Sequence, residues 1–200
     1  MHVTILTAPS IHAMKKAAGI CRNSPDAETA LWNALKAGHN SLLEHILFSF
    51  EITGVSRALT HQLVRHRIGC SYAQQSQRHV KIQINSVEWY VSPKTAVPLF
   101  HKTMQIIGAS YLECIEQGMP LEDARYLLPN GCMSKLVMSM NARALMHFFD
   151  LRLCSRAQWE IQELAQEIFT MCESQYPKLF NNTNNPDCIH CPEPCGNPIN

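Results

Sequence analysis

Apolar residues along this chain recur at two spacings, the two-residue repeat of strands and the longer repeat of helices. Every second residue from Ile46 to Ile52 is apolar, which predicts a strand with one buried face. Residues 2–8 and 80–92 are also predicted as strands, and residues 133–140 fit either a strand or a helix. Helices are predicted at residues 13–21, 24–38, 56–65, 99–117, 120–129 and 141–180, the last with a break near Ser155. These elements predict an α+β fold with more helix than strand.

Residues that favour helix ends mark several of these boundaries. Ser24, Pro25 and Asp26 predict an N-cap, a proline in the first turn and an acid near the positive end of a helix. Residues 41–44 have the spacing of a capping box. On the helix predicted at 56–65, Gln62 and Arg65 are three residues apart and are expected to project from neighbouring positions.

Length and charge limit the classes of protein that this chain can be. Two hundred residues fit one domain, predicted at 1–180, followed by a tail at 181–200 that is rich in Asn, Pro and Cys. A net charge of +1 argues against a nonspecific nucleic-acid binder, which carries a global excess of Lys and Arg. No apolar run reaches the length of a membrane span, and the N-terminus lacks the features of a signal peptide. We therefore expect a cytoplasmic protein with no membrane or nucleic-acid partner.

Cysteine is frequent, with nine residues in the chain. Six of them lie in patterned segments, where a reduced cysteine behaves as a small hydrophobic residue. The other three, Cys188, Cys191 and Cys195, are close together in the tail with His190 among them. Thiolates at this spacing are able to hold Zn²⁺ or a cluster, but a fourth ligand is not evident. We expect no metal site, and a metal-binding tail is the alternative.

The segment from Arg65 to Arg78 has the most unusual composition in the chain. It contains Arg65, His66, Arg67 and Arg78, with hydroxyl and amide side chains between them, and no acidic residue in fourteen positions. A solvated helix face would mix Lys and Glu instead. Because an arginine fork binds phosphate and planar carbonyl groups through two hydrogen bonds, this segment is predicted to be an anion-binding loop.

A second polar group lies within an otherwise apolar helix at residues 141–152. Asn141 and Arg152 are eleven residues apart, about three helical turns, and so share a face. Arg143 and His147 form a separate pair four residues apart. Arg125 has two interpretations, a binding residue or one half of an ordinary ion pair with Glu122.

These residues carry a resemblance to a known family. Arg65-His66-Arg67, followed after eight residues by Ser76, resembles the signature of the flavin-dependent thymidylate synthases. Four further segments resemble that family in the same order, and they are His39–Ser41, Glu122–Pro129, Met140–Arg143 and Leu151–Trp159. Together the motifs cover roughly residues 35–165.

The resemblance implies an enzyme that uses FAD to methylate dUMP to dTMP. 5,10-Methylenetetrahydrofolate would supply the carbon, and NADPH would reduce the flavin. The fold that it implies is an α+β subunit with a mixed or antiparallel sheet flanked by long helices. The oligomer that it implies is a homotetramer.

The resemblance also implies roles for individual residues. The expected FAD contacts are Ser41, Arg65, His66, Arg67, Gln74, Asn141, Arg143 and His147. The expected dUMP contacts are Gln62, Arg65, Gln74, Gln75, Ser76, Gln77, Arg78, Arg125 and Arg152. Arg152 is expected to be catalytic, since an arginine beside N3 and the adjacent carbonyl would stabilise an anionic pyrimidine ring. His39 is expected on the folate side. Gln74 stands where many members carry Glu, and His147 where many carry Asn.

Two side chains in the arginine-rich segment are candidate nucleophiles. Ser76 lacks a His–acid pair to activate it, and a hydrogen bond to the nucleotide is the preferred role. Cys70 lies beside arginines, which would lower the pKa of its thiol, but the family works without an enzyme nucleophile. Two rival functions are a noncatalytic nucleotide- or RNA-binding module that uses the Arg65–Arg78 loop, and a small metal-binding protein organised by the cysteine tail.

Overall fold

The computed structural model describes residues 1–7, 9–84 and 89–180, together with Cys191, Glu193 and Cys195. The strands of these residues are β1 (His2–Ile5), β2 (Leu47–Ser56), β3 (Cys70–Gln74) and β4 (Met133–Asn141). They form one antiparallel sheet in the order β1-β2-β4-β3. β3 is therefore an edge strand, and β2 and β4 are the central pair.

Helices make up most of the remaining described structure, so the predicted α+β class is confirmed. The α-helices are α1 (His12–Arg22), α2 (Ala27–Lys36), α3 (Arg57–Leu63), α4 (Pro98–Glu116), α5 (Leu121–Ala124), α6 (Ala142–Arg152), α7 (Trp159–Gln175) and α8 (Pro177–Phe180). Two 3-10 helices lie at Asn40–His45 and Arg125–Leu127. No helix within the described ranges is long and apolar enough to cross a bilayer.

Packing divides the chain into two compact units. The first unit comprises residues 1–2, 52–65 and 73–136. Its core is formed by Ile82, Trp89, Tyr90, Met104, Tyr111, Ala124 and Cys132. The hydroxyl of Tyr111 accepts a hydrogen bond of 3.1 Å from the amide of Ile82, which gives a fully buried phenol its polar partner.

The second unit comprises residues 3–51, 66–72 and 137–200. Aromatic rings dominate its core: Phe149 lies 5.3 Å from Phe169 and 5.9 Å from Phe180 between ring centroids, in edge-on arrangements. Phe48 packs edge-on against Phe180 at 5.7 Å. Burying each ring contributes about 1.5–3 kcal/mol, so this cluster is a large part of what holds α6, α7 and the buried end of β2 together.

Several predicted elements are confirmed. Phe48, Phe50 and Ile52 are fully buried on one face of β2, as their alternation predicted. α3 begins where Ser56 accepts a hydrogen bond of 3.0 Å from the amide of Leu59, which satisfies an otherwise unpaired donor at the helix start. α4 ends before Gly118, whose φ of 93° suits glycine. Residues 133–140, left open between strand and helix, belong to β4.

The strand predicted at 80–92 is wrong for the part that the structure describes, residues 80–84 and 89–92. There only Tyr90 pairs with another strand-like residue, through an isolated antiparallel bridge to Cys132. Ile82, Trp89 and Tyr90 pack into the core of the first unit instead of forming one face of a sheet. Conversely, β3 lies inside the segment predicted to be a loop. The sequence did not predict β3 as a strand because its polar residues give no alternating apolar face, and an edge strand does not need one.

Three predicted caps are also wrong. Asp26 caps α2, with Oδ1 accepting from the amide of Thr29 at 3.0 Å, so the helix begins after Ser24 and Pro25. Residues 41–44 lie within a 3-10 helix and form no capping box. Gln158, not Ser155, caps α7 by accepting from the amide of Glu160 at 3.1 Å. For α2 and α7 the capping residue, Asp26 or Gln158, lies a few residues after the predicted one.

Two predictions about the chain's organisation stay predictions. The single domain at 1–180 with a separate tail is one. The metal question is the other, since Cys188 and His190 lie outside the described residues, and Cys191 and Cys195 form no disulfide bond within the described part of the chain. Among the described residues no group of three His, Cys, Asp or Glu side chains is arranged to hold a metal ion.

Candidate functional site

In the second unit, the turn that follows His66 is held against the start of α6. Asn141 caps this helix, with Oδ1 accepting from the amide of Ala144 at 2.8 Å, and its own amide donates to the carbonyl of Gly69 at 3.0 Å. Gly69 has a φ of 71°, and a Cβ atom at this residue would lie 2.5 Å from Nδ2 of Asn141. The close approach of turn and helix therefore requires glycine at position 69.

His66 is buried and is bonded to Arg152. Nε of Arg152 donates to Nε2 of His66 at 3.0 Å. Because a guanidinium only donates, Nε2 must be the acceptor, and the ring proton is then on Nδ1. Burial, and then the positive charges of Arg152 and His147, lower the pKa of His66 to about 4. At neutral pH the imidazole is therefore uncharged and able to accept this hydrogen bond.

The surroundings of the His66 ring restrict its orientation further. Its centroid lies 5.2 Å from that of Phe148 and 6.1 Å from that of His147, both edge-on. The hydroxyl of Tyr72 donates to the backbone carbonyl of His66 at 2.9 Å. The imidazole thus has packing on one side, a fixed backbone and a fixed tautomer.

Arg152 is half-buried at the end of α6, and burial lowers the pKa of its guanidinium. Its hydrogen bond to His66 uses Nε, and the Nη edge has no hydrogen-bond partner within the described part of the chain. Asn141 lies at the other end of the same helix, about 16 Å away along the axis. The two residues were predicted to share a helix face. They lie at opposite ends of α6, and each has a different set of contacts.

Two other predicted flavin residues of the second unit, Ser41 and Arg143, lie on or contact the 3-10 helix at Asn40–His45. Nη1 of Arg143 forms an ion pair of 2.6 Å with Oε1 of Glu44, and the amide of Ala142 donates to the carbonyl of Ile46 at 3.0 Å. Ser41 is exposed on this 3-10 helix. The side chains of Arg143 and Glu44 are 56% and 49% exposed, so their ion pair contributes little stability and leaves Arg143 accessible.

Two further residues of this unit are exposed. Arg67 has no ion-pair partner among the residues that the structure describes, and His39 precedes the 3-10 helix without capping it through its side chain. Within the described residues, neither side chain forms a hydrogen bond or an ion pair. Both remain candidates for contact with a ligand.

In the first unit, Gln74 is held by two hydroxyl groups. Its Nε2 donates to Oγ1 of Thr60 at 3.0 Å and to Oγ of Ser134 at 2.8 Å. The hydroxyl of Thr60 donates its own proton to the carbonyl of Arg57 at 3.0 Å. Thr60 is therefore an acceptor for Gln74, which fixes the orientation of the amide with its nitrogen toward the hydroxyl pair.

Glu122 contacts both Arg78 and Arg125 in the first unit, and Ser76 contacts Arg78. Nε of Arg78 pairs with Oε2 of Glu122 at 2.6 Å, and Nε of Arg125 donates to the backbone carbonyl of Glu122 at 3.0 Å. The amide of Arg78 donates to Oγ of Ser76 at 3.2 Å. The predicted alternative of an Arg125–Glu122 ion pair is wrong, since the carboxylate is bonded to Arg78.

The remaining nucleotide candidates differ in their surroundings. α3 ends at Leu63, so Arg65 lies beyond the helix and not one turn after Gln62 as predicted; its amide donates to the carbonyl of Gln62 at 3.3 Å. Nε2 of Gln77 contacts Sγ of Cys132 at 3.6 Å, which directs this amide toward the core. Burial raises the pKa of Cys132 to about 11, so this thiol is a structural group.

The first unit also contains a cavity of about 360 Å³. Its lining includes Gln75 and Ser134, together with Lys81, Lys135 and the ring of Trp89. Gln75 is the only predicted nucleotide residue that lines this cavity. The arginines of the predicted site therefore lie outside it.

The thiol of Cys70 is not activated. It donates to the carbonyl of Ile68 at 3.3 Å, and burial raises its pKa. The prediction that neighbouring arginines lower this pKa is wrong, because desolvation of the thiolate is the larger effect. A thiol with a raised pKa is a poor nucleophile at neutral pH.

Sequence reasoning missed the residues that hold the predicted ones in place. These supporting residues are Glu44, Thr60, Tyr72 and Ser134, together with Glu122 in its contact with Arg78. They are ordinary polar residues at ordinary positions, separated in the chain from their partners by up to 99 residues. No local pattern distinguishes them, so only the tertiary contacts identify them.

Comparison with known proteins agrees with the resemblance. The family model described as thymidylate synthase complementing protein matches residues 5–178. A flavin-dependent thymidylate synthase from Geobacter sulfurreducens is 41% identical over 178 residues, which cover 86% of this chain and 76% of the relative. Another from Sulfurisphaera tokodaii is 41% identical over 173 residues, which cover 82% of this chain and 65% of that relative. The chain thus spans slightly less than two thirds of the second relative.

The fold has solved counterparts. Thymidylate synthase X from Helicobacter pylori, in a crystal structure with FAD and dUMP, superposes with a TM-score of 0.79 at 22% sequence identity. The match covers 92% of this chain and 99% of the other. At this identity the likeness establishes the fold. Together with the family model and the relatives at 41% identity, it shows that the chain belongs to the flavin-dependent thymidylate synthase family.

Proposed function

We propose that this chain is a thymidylate synthase that uses FAD to convert dUMP to dTMP, with 5,10-methylenetetrahydrofolate as carbon donor and NADPH as reductant. The observation that carries the proposal is Arg152, whose Nε is held by the neutral ring of His66 while its Nη edge is available. A planar, fixed donor edge suits the N3–carbonyl side of a pyrimidine. The chain's membership of the family supports the same function.

The second unit has residues that fit FAD. The exposed guanidinium of Arg67 lacks an ion-pair partner among the described residues, and Arg143 is held in an exposed pair beside the start of α6. Cations and helix N-terminal amides are the groups that bind a pyrophosphate. Gly69 allows the turn that follows His66 to approach the start of α6 closely. As the family resemblance implies, we assign Ser41, Arg65, His66, Arg67, Gln74, Asn141, Arg143 and His147 to this cofactor.

The proposed nucleotide residues act by binding and orienting. Arg78 and Arg125 would hold the phosphate, and the hydroxyl of Ser76 would donate a hydrogen bond to it. Gln74, fixed by Thr60 and Ser134, would present its remaining amide atoms to the ligands. Gln62, Gln75 and Gln77 complete the proposed set, although Gln77 would have to leave its contact with Cys132.

Arg152 has the electrostatic role in the proposed mechanism. When bound, reduced FAD supplies the hydride, and the folate supplies the carbon. The carbon of the pyrimidine ring that accepts the new group must first become electron-rich. The guanidinium of Arg152, fixed by His66, would stabilise the negative charge that builds up on the ring oxygen, and it need not lose a proton to do so.

Four finer statements belong to the same proposal. We propose that His39 lies on the folate side, that the enzyme is a cytoplasmic homotetramer, that residues 1–180 form its catalytic domain, and that the tail from residue 181 holds no metal. An exposed histidine beside the flavin residue Ser41 supports the first. The family resemblance supports the second.

Two measurements on the purified chain test the function. A flavoprotein is yellow, so the visible absorption spectrum should show bound FAD, either as purified or after reconstitution. The loaded protein should then form dTMP from dUMP only when both NADPH and methylenetetrahydrofolate are present. A colourless protein that takes up no FAD but binds RNA with a steep salt dependence would instead identify the noncatalytic nucleic-acid-binding alternative.

A further inference from the structure

Two arginines of the proposed phosphate site, Arg78 and Arg125, are held in the same manner. Each forms its hydrogen bond through Nε, and both bonds are made to one residue, Glu122. Arg78 is bonded to the carboxylate at 2.6 Å, and Arg125 to the backbone carbonyl at 3.0 Å. Within the described part of the chain, the Nη atoms of both guanidinium groups have no hydrogen-bond partner.

The choice of nitrogen has a geometric consequence. A guanidinium has five N–H donors in one plane, and its Nη1–Nη2 edge is the side that grips two oxygens of a phosphate. Nε lies on another edge of the same plane, so a bond to Nε leaves the Nη1–Nη2 edge available. An arginine whose partner occupied the Nη1–Nη2 edge itself would have to release that partner before it could bind a phosphate in this way.

The charge of Glu122 also suits this position. Two guanidinium groups drawn to one residue repel each other, and a carboxylate beside them reduces that repulsion before any ligand is bound. Arg78 and Glu122 are about half exposed, so without such a contact the long arginine side chain would sample many rotamers. Ordering it in advance lowers the entropy that a ligand must otherwise overcome.

We propose that Glu122 is a positioning residue of the phosphate site. Its carboxylate holds Arg78 through Nε, so that the Nη edge of Arg78 faces the nucleotide phosphate. This inference rests on the proposed function. Glu122 touches neither the substrate nor the cofactor in this assignment and acts through Arg78. Arg125 depends only on the backbone of the same residue, so substituting the Glu122 side chain changes the support of one arginine and leaves that of the other unchanged.

Steady-state kinetics of the FAD-loaded enzyme test this role with two variants. Glu122→Ala removes the acceptor, and we expect the KM for dUMP to rise about 3- to 10-fold with kcat unchanged, since only ground-state ordering of Arg78 is lost. Glu122→Gln keeps an oxygen acceptor for Nε but loses the charge, and its KM should lie between those of the wild type and Glu122→Ala. The control is Glu116→Ala, an exposed glutamate of the same unit, which should change neither constant.

A double-mutant cycle separates positioning from a general effect on the fold. In an Arg78→Ala background, Glu122→Ala should have no further effect on the KM, because the side chain that it positions is gone. Equal KM values for the wild type and Glu122→Ala, or the same rise in both backgrounds, would overturn the inference. If the wild-type chain binds no dUMP, the proposed function fails as well. If the wild type has normal turnover and Glu122→Ala has the same KM for dUMP as the wild type, this inference alone is refuted.

Discussion

Arg152 and His66, which lie 86 residues apart in the chain, are joined by a hydrogen bond of 3.0 Å from Nε to Nε2. The sequence predicted different ligands for the two residues, the nucleotide for Arg152 and the flavin for His66. Their contact means that a change at one residue is transmitted to the other. Burial is the main reason that His66 is neutral, and the contact adds to it, since a protonated imidazole would repel the guanidinium of Arg152.

Arg152→Lys should keep FAD and lose most turnover. A lysine ammonium is a point charge and cannot replace a planar edge fixed by His66, so we expect kcat to fall about 10²- to 10³-fold. The assay is NADPH- and folate-dependent formation of dTMP, with the visible spectrum as the measure of FAD content. Arg156→Lys, at an exposed arginine bonded to the Glu193 carbonyl, is the matched control. Near-normal activity of Arg152→Lys would contradict the electrostatic role.

The stability of the chain should depend on pH through His66. Its pKa is lowered from 6.5 to about 4 in the folded state. Between these values the unfolded chain binds a proton that the folded chain does not, so the folded state loses stability as the pH falls from about 6.5 toward 4. Relative to His66→Gln, which has no titrating ring, the free energy of unfolding of the wild type should fall by up to about 3 kcal/mol across this pH range.

Urea unfolding of both proteins at several pH values, at one protein concentration, measures this difference. Comparison with the variant removes the contribution of the carboxylates, which titrate in the same range in both proteins. If the free energies of unfolding of the wild type and His66→Gln differ by the same amount at pH 7 and at pH 4.5, His66 is protonated as readily in the folded state as in the unfolded chain.

Gly69→Ala should weaken both the fold and FAD binding. The new Cβ would lie 2.5 Å from Nδ2 of Asn141, in addition to the strain of a φ of 71°. Gly38→Ala is the matched control, since Gly38 has a φ of 83° but no atom within 4 Å of a new Cβ. We expect Gly38→Ala to cost about 1–2 kcal/mol from backbone strain alone, and Gly69→Ala to cost at least about 1 kcal/mol more.

The measurements are urea unfolding and the ratio of bound FAD to protein. Gly69→Ala should lower the FAD ratio because the turn moves away from the start of α6, whereas Gly38→Ala should not. Equal effects of the two substitutions on both quantities would show that the contact with Asn141 has no importance beyond the backbone strain.

Cys70→Ala should retain the turnover number of the wild type. The thiol donates to the carbonyl of Ile68 and its pKa is raised, so it has little thiolate to offer at neutral pH. Formation of dTMP by the FAD-loaded variant checks this expectation. Complete loss of activity with an unchanged FAD content would instead make Cys70 the nucleophile.

Much of the fold followed from local pattern. β2 was predictable because its alternating residues Phe48, Phe50 and Ile52 bury one face, and α4 because its apolar repeat ends near a glycine. β3 was not, because an edge strand is held by backbone pairing that polar residues satisfy as well as apolar ones. The strand prediction failed in the described part of the segment at 80–92 because Ile82, Trp89 and Tyr90 pack into the core of the first unit and form no sheet face.

The candidate site divides in the same way. By itself the sequence identified which side chains have the chemistry to bind an anion and a planar ring, since arginine, histidine and amide groups stand in an acid-free segment and recur in α6. The tertiary structure decided how those groups are held: that Glu122 bonds to Arg78 through its carboxylate, that Gln74 rests on Thr60 and Ser134, and that His66 is neutral. The reason is that residue type sets what a group can bind, whereas orientation and protonation depend on burial and on partners distant in the chain.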